Sequence, residues 1–500
     1  MKYLIIILSC TFLFSEDEIY QSCIAEQNRV HRIEFLFPEI IESEHFIIHF
    51  TQSELDTQLT NGVWDSPKVS TSYAQSISDL LEPTLETYLN QGWEMPPPDC
   101  DESIEDINVS NHCIHFGGNA KYDVYISNEG VGLVVPESSY PVEPYTGGMA
   151  SYMHISSLFN EFDEYPFWSH HVIAHEIHHA IQMRYGYSVS GTPGNYAHNA
   201  WFFEQTATYM ENVIFPESIH LRTMLGNCNV VTPLTYPEYH ISYTTEIYPY
   251  RSALWQKFLV ENYNDSAIVR YQWENYGLEM VTGNPVSLYP IYNHSVEIST
   301  NEEINLKKAI QDYSIWRYFT GDRALNNEHF FEGINYCTSK TTSIDDFSMA
   351  LSEMGSAYYI ELPNENKHVQ INSSVPGVLT AQYLEITNDS YNIFDIDMST
   401  LNAEFDYNGE MNDFVLIITS GYNGEDSQEI PINIILEDQF LIGDINNDLE
   451  VNIVDIVLLV NQILESTELT DEQFIISDVN QDLQINILDI VLLINLILSN

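Results

Sequence analysis

Two hydrophobic rhythms divide the chain: a mixture of three-to-four-residue and two-residue spacings up to about residue 350, and strict alternation after Gly355. In the first part, His45 to Phe50 and Lys121 to Ile126 alternate as strands do, and Ser72 to Leu89 carries the helical period and stops ahead of Pro96, Pro97 and Pro98. A Gly147-Gly148 turn leads to a third strand through Ile155, whose edge is placed to accept an extended peptide as one more strand. Helical spacing returns in Trp168 to Gln182, Asn199 to Val213, Ala253 to Tyr263, Ile304 to Phe319 and Ser343 to Glu353, the last three forming a lower lobe. After Gly355, Ala357 to Leu362, Leu379 to Ile386 and Phe414 to Thr419 predict an all-β, Ig-like sandwich of about seven strands, serving as a spacer or a docking module. The tail then repeats itself: VNIVDIVLLVNQIL and INILDIVLLINLIL lie 34 positions apart.

This pattern predicts a multidomain chain: a segment 1–15, an α+β domain 16–353, a β-sandwich 354–438 and a small α-helical module 439–500. Residues 1–15 join one Lys to a short apolar run and read as a secretory signal peptide cleaved near Ser15, with lipidation at Cys10 as the alternative. No later run is long and uncharged enough to span a bilayer, so the expectation is a secreted, extracellular protein, free or tethered at the cell surface. Against 16 Lys and Arg stand 73 Asp and Glu, a net charge of −57 that disfavours nucleic acid and anionic membranes as partners. Salt or Ca²⁺ would screen that charge, and a generally acidic proteome accounts for it as well as a cationic partner does. Of six cysteines, Cys100 and Cys113 bracket a short loop and suit a disulfide; Cys228 and Cys337 can make a second, leaving Cys23 over.

The chemistry concentrates in WSHHVIAHEIHHAIQ, where His175-Glu176-Ile177-His178-His179 fits H-E-x-x-H. Residues four apart stack on one helix face, so His175 and His179 can hold one Zn²⁺, while Glu176 beside them can act as general base toward water that the ion activates. A His171/His175 pair is the weaker alternative, lacking an adjacent carboxylate, and His178 points elsewhere, to the core or to a supporting contact. The third ligand is expected 25 positions beyond His179, at Glu204, because a carboxylate beside Trp201, Phe202 and Phe203 needs a cation. Glu211, seven residues on, is either a supporting acceptor or a solvated residue.

HEIHH followed by a helix bearing FFEQTATYME resembles the gluzincin zinc metallopeptidases, and within them secreted bacterial members with AHExxHAIQ and WxxExxAxYME helices. The resemblance spans about residues 40–290 and implies a zincin-like fold with His175, His179 and Glu204 as ligands, Glu176 as base and a polypeptide substrate. Two departures stand out. Thermolysin-like enzymes place an Asp four residues after the ligand Glu, where this chain has Thr208. Gluzincin aminopeptidases carry G-x-M-E-N, and the similar Gly148-Met149-Ala150-Ser151 lacks the Glu that reads a free amine, which tilts the expectation toward endopeptidase. In similar enzymes a downstream Tyr or His steadies the oxyanion; Tyr250 is the candidate here, with Tyr248 second.

In the tail, oxygens at loop positions 1, 3, 5 and 12 are spaced to surround Ca²⁺: Asp444, Asn446, Asp448 and Asp455, then Asp478, Asn480, Asp482 and Asp489, with Glu450 and Gln484 at position 7. The duplicated loop resembles a dockerin, which implies two structural calcium ions and a cohesin-type partner. Leu449 and Leu483 occupy position 6, where such loops favour Gly, and calcium that folds the tail without any cohesin is the alternative. Two functions follow from these readings: a secreted, calcium-stabilised zinc endopeptidase, or a catalytically silent scaffold that keeps a zincin fold.

Overall fold

The computed structural model describes residues 32–60, 63–108, 112–115, 118–159, 168–187, 199–280, 286–325, 328–343, 348–360, 367–387, 390–407, 414–421, 429–438, 441–446, 448, 450–465 and 470–499. The signal-peptide segment, Cys23 and Leu449 lie outside them.

The first domain opens with strands β1 (Glu39–Glu42) and β2 (Phe46–Phe50), a small hairpin of β3 (Gln58–Thr60) and β4 (Val63–Asp65), and helix α1 (Thr71–Asn90). Ser70 caps α1 by accepting from Tyr73 N–H, and Tyr73, Ile77, Leu81, Leu85 and Tyr88 form its buried stripe. Strands β5 (Tyr122–Ser127), β6 (Gly132–Ser139) and β7 (Met149–Ser156) complete a five-stranded sheet in the order β1-β2-β5-β7-β6. The three central strands run parallel, while β1 and β6 pair antiparallel at the two edges.

The strand read from residues 147–155 is therefore not an edge. Strand β6 lies outside it and went unread because Gly130, Gly132 and Pro136 break its alternation; a proline is tolerated there because an edge strand has one side without ladder bonds. Val124, Ile126, Val134, Met153 and Ile155 face α1 and the helices that follow. The opposite face carries Tyr125, Val135 and Tyr152 beneath Ile33 and Phe35. There Arg32 pairs with Asp99 at 2.9 Å, Glu137 at 2.7 Å and Asp123, one cation shared among three carboxylates, and burial beside Asp123 pushes the Asp99 pKa up to about 9.

Helices α2 (Trp168–Tyr185), α3 (Ala200–Ile214), α4 (His220–Leu225), α5 (Tyr248–Arg251), α6 (Leu254–Tyr263), α7 (Ile268–Glu279), α8 (Leu288–Ser299) and α9 (Leu306–Tyr318) follow. Tyr88 Oη donates to the Ala174 carbonyl at 2.9 Å, tying α1 to α2. Both expected disulfides, Cys100–Cys113 and Cys228–Cys337, are present.

The helix expected over 343–353 is absent from its described residues: Ser343 ends β8 (Thr342–Ser343) and Ser348–Leu351 is strand β9. These strands join two sheets built with β10 (Ser356–Ile360), β11 (Lys367–Ser373), β12 (Leu379–Thr387), β13 (Ser390–Ile396), β14 (Asn402–Tyr407), β15 (Phe414–Ser420) and β16 (Ile430–Asp438). Strand β9 pairs antiparallel with β16, matching Leu351 to Ile430 and Met349 to Ile432, so long-range pairing overrides a local helical spacing. The sheets run β13-β12-β15-β10-β8 and β14-β11-β16-β9, and one core of Leu351, Tyr359, Ile371, Leu416, Ile418 and Ile432 draws on both.

These sheets rest directly against α9: Ile315, Tyr318 and Phe319 pack with Tyr358, Leu384 and Ile417. Arg317, fully buried, donates to the carbonyls of Pro233, Pro237 and Met354 and to Ser356 Oγ. Arg317→Leu is expected to cost about 3 kcal/mol, since charged hydrogen bonds at a dry seam are lost together and carbonyls are stranded. Urea denaturation of both proteins checks this, and an unchanged midpoint would refute it.

The tail holds α10 (Ile453–Glu465), α11 (Asp471–Ser477) and α12 (Ile487–Ser499) around Ile445, Leu459, Ile476 and Leu493. Among the described residues no helix is long and apolar enough to cross a membrane.

Candidate metal centre

The helical period of α2 places His175 and His179 one turn apart on the side facing α3, and their rings meet edge to face with centroids 4.6 Å apart. Helix α3 begins without a side-chain cap. Asn199 takes a left-handed backbone with no capping bond, and its Nδ2 donates instead to the Val286 carbonyl at 2.8 Å. Nearly all of α3 is buried, Glu204 fully so.

Its Oε2 lies 3.0 Å from His175 Nε2 and 3.3 Å from His179 Nε2, and one ligand atom of each of the three residues lies within 4.8 Å of the other two. The opposite nitrogens are engaged elsewhere. His175 Nδ1 is 2.8 Å from Glu211 Oε1, and His179 Nδ1 is 2.7 Å from Gln182 Oε1. Gln182 is itself fixed by donating to the Phe203 carbonyl and to Thr206 Oγ1, both at 3.0 Å. With Nδ1–H donating outward, each Nε2 would turn its lone pair toward Glu204, the tautomer that metal-ligating histidines adopt. Two lone pairs and a carboxylate aimed at one buried point repel unless a cation separates them, and this donor set fits Zn²⁺.

The electrostatics agree. Burial opposes charge on His175, yet Glu204 and Glu211 outweigh it and push its pKa up to about 10. Burial likewise raises Glu204, but His179 and His175 hold its carboxyl well below the ordinary range. The pocket attracts positive charge, as a proton when nothing better is present.

Glu176 follows the first histidine without joining the cluster. It is buried, its Oε2 has no hydrogen-bond partner among the described residues, and burial drives its pKa well above the carboxylate norm. Strand β6 passes directly over it: a Cβ on Gly132 would sit 2.5 Å from Glu176 Oε1. Glycine is what lets the edge strand approach Glu176 so closely. Tyr250 stacks on His175 with centroids 5.7 Å apart and planes 13° from parallel, whereas Tyr248 packs edge-on against Tyr243.

The other histidines go elsewhere. His178 is a core residue between Tyr88, Trp93 and Trp273, where burial keeps it neutral. His170 lies edge-on to Phe215, and His171 stacks on His220 rather than joining His175. Thr208 makes no ligand-orienting contact; Glu211, one turn farther along α3, supplies it. Gln182 and Gly132 escaped the sequence reading, although a glycine inside a strand was the available signal for close backbone approach.

In the tail, both loops wrap their first and twelfth aspartates inward. Asp455 accepts from Ile445 N–H at 2.7 Å, Asn446 N–H at 3.2 Å and Asn452 N–H at 2.8 Å. Asp489 accepts in the same way from Asn480 and Asn486. Asp444 and Asp478 accept from Asp448 and Asp482 N–H, and Asn446 and Asn480 each donate to the aspartate two residues on. Glu450 and Gln484 differ in charge yet each gives its N–H to the position-5 aspartate, as suits a position that such loops use through the main chain. Residues 442–498 match the dockerin type I domain. The chain bears a dockerin. This match supports calcium binding and docking to a cohesin module, in an extracellular complex, for the tail. No curated protein matches the chain in sequence.

Proposed function

We propose that the domain ahead of the sandwich is a zinc endopeptidase and that the dockerin carries it to a cohesin-bearing assembly. One observation carries the enzymatic reading: His175, His179 and Glu204, from two helices, converge on one buried point with both imidazole Nδ1 atoms already engaged. Zn²⁺ held there supplies Lewis acidity toward a carbonyl and toward water. Glu176, the residue after His175 on α2, would act as the base that takes the proton from the attacking water and returns it to the leaving amine. Glu211 and Gln182 keep the two imidazoles aimed.

A polypeptide would lie along β6, the edge strand that passes over Glu176 at Gly132. Tyr250, beside His175, is the side chain best placed to steady negative charge on the carbonyl oxygen. Endopeptidase action rests on the edge strand as observed. Within β6 the one acidic residue, Glu137, is paired with Arg32, which leaves it unsuited to holding a substrate amine.

On the tail, Ile453, Val454, Ile487 and Leu488 are the corresponding exposed apolar residues of the two copies and make the docking face. Glu204→Ala tests the centre: bound zinc is expected to fall by one equivalent per chain and casein hydrolysis by more than about a thousandfold. Full activity in that variant, or zinc-loaded wild-type protein that leaves casein uncut, would overturn the enzymatic reading and leave a silent scaffold.

A further inference from the structure

A second donor cluster adjoins the first through a shared carboxylate. Glu211 divides its oxygens: Oε1 lies 2.8 Å from His175 Nδ1, and Oε2 lies 2.6 Å from His220 Nδ1. His171, one turn ahead of His175 on α2, stacks on His220 with centroids 4.6 Å apart and planes 17° from parallel. One ligand atom of each of His171, Glu211 and His220 lies within 4.8 Å of the other two, the same convergence that marks the first site. His171 and Glu211 are buried, and the His220 side chain is 9 % exposed.

Orienting His175 needs Glu211 alone. It needs neither His220 on the second oxygen nor His171 stacked beside it. Two imidazoles and a carboxylate are, however, a ligand set for a borderline divalent ion, and the one that the first site uses. We propose that His171, Glu211 and His220 bind a second divalent transition-metal ion of the zinc class, with Glu211 spanning both centres. The ion would join α2, α3 and the start of α4. Tetrahedral donors stand about 3.3 Å apart, and the stacked His171 and His220 rings must turn out of parallel for both to aim at one ion. The proposal is independent of the peptidase reading, because the two donor sets share no ligand.

Cobalt titration of the full-length, metal-stripped protein, with calcium saturating the dockerin loops, tests it by visible absorption and by metal analysis after gel filtration. Wild type is expected to retain two equivalents of Co²⁺ per chain. Glu204→Gln and His171→Asn/His220→Asn are each expected to retain one, with different absorption bands, and thermal melts of both variants verify folding. Wild type that retains no Co²⁺ overturns the second site, and needs no variant to fold. Two equivalents retained by the His171/His220 variant overturn it as well. If only the first site is misread, wild type and Glu204→Gln each retain one equivalent while the His171/His220 variant retains none.

Discussion

Glu176→Gln is expected to retain its full complement of zinc while cleaving casein about 10²–10⁴-fold more slowly than wild type, the usual contribution of a positioned proton acceptor. The amide matches the carboxylate in size, so the packing beneath Gly132 survives, and no ligand is altered. What disappears is the lone pair that accepts the proton of the attacking water. The loss should fall on kcat with little change in KM, because the substituted group acts in the transition state and not in peptide binding along β6. Steady-state kinetics with metal analysis on the same sample decides this. An equally active Glu176→Gln protein would mean that hydrolysis, if present, is catalysed elsewhere. The contrast with Glu204→Ala is informative, because there metal and activity are expected to fall together.

Why some of this was legible in the sequence and some was not follows from the range of the interactions involved. His175, Glu176 and His179 are fixed by the helical repeat alone, and Glu204 by the cost of placing a carboxylate among Trp201, Phe202 and Phe203. The calcium loops were readable because duplication makes each copy a control for the other. Other features depend on partners remote in the chain. Glu211 looked as much like a solvated residue as a supporting acceptor until His175 and His220 were seen on its two oxygens. His220 carries no local pattern at all, standing at the start of a six-residue helix. Strand β6 was masked by its own glycines and proline, the features that make it an edge strand close to the base. Residues 348–351 are strand because β16 pairs with them, and no reading of SMAL by itself could supply β16.

The other large effect is expected in the tail. Replacing Asp455 and Asp489 together by Ala should unfold residues 442–498 even in millimolar calcium and reduce capture by a cohesin module by more than about a hundredfold, while leaving casein hydrolysis unchanged. Each of these carboxylates closes its loop by accepting main-chain N–H groups from both of its ends, and each is fully buried. Without them the loop amides lose their acceptors and the ion loses its twelfth-position ligand. The remaining core, centred on Ile445, Leu459, Ile476 and Leu493, is too small to hold a module of under sixty residues without metal. At position 6 of the second loop, Leu483 adds to the burden with a backbone φ of +64°, a left-handed conformation costing about 1 kcal/mol in a residue with a Cβ. Calcium binding must offset that strain as well as the charge repulsion among the loop aspartates, so ion binding and folding are one equilibrium here. Hydrogen exchange is the direct measure: protection of α10 and α12 should vanish in the double variant and persist in wild type with calcium. A tail that stays protected and still binds cohesin after both substitutions would show that its helices fold without the ions.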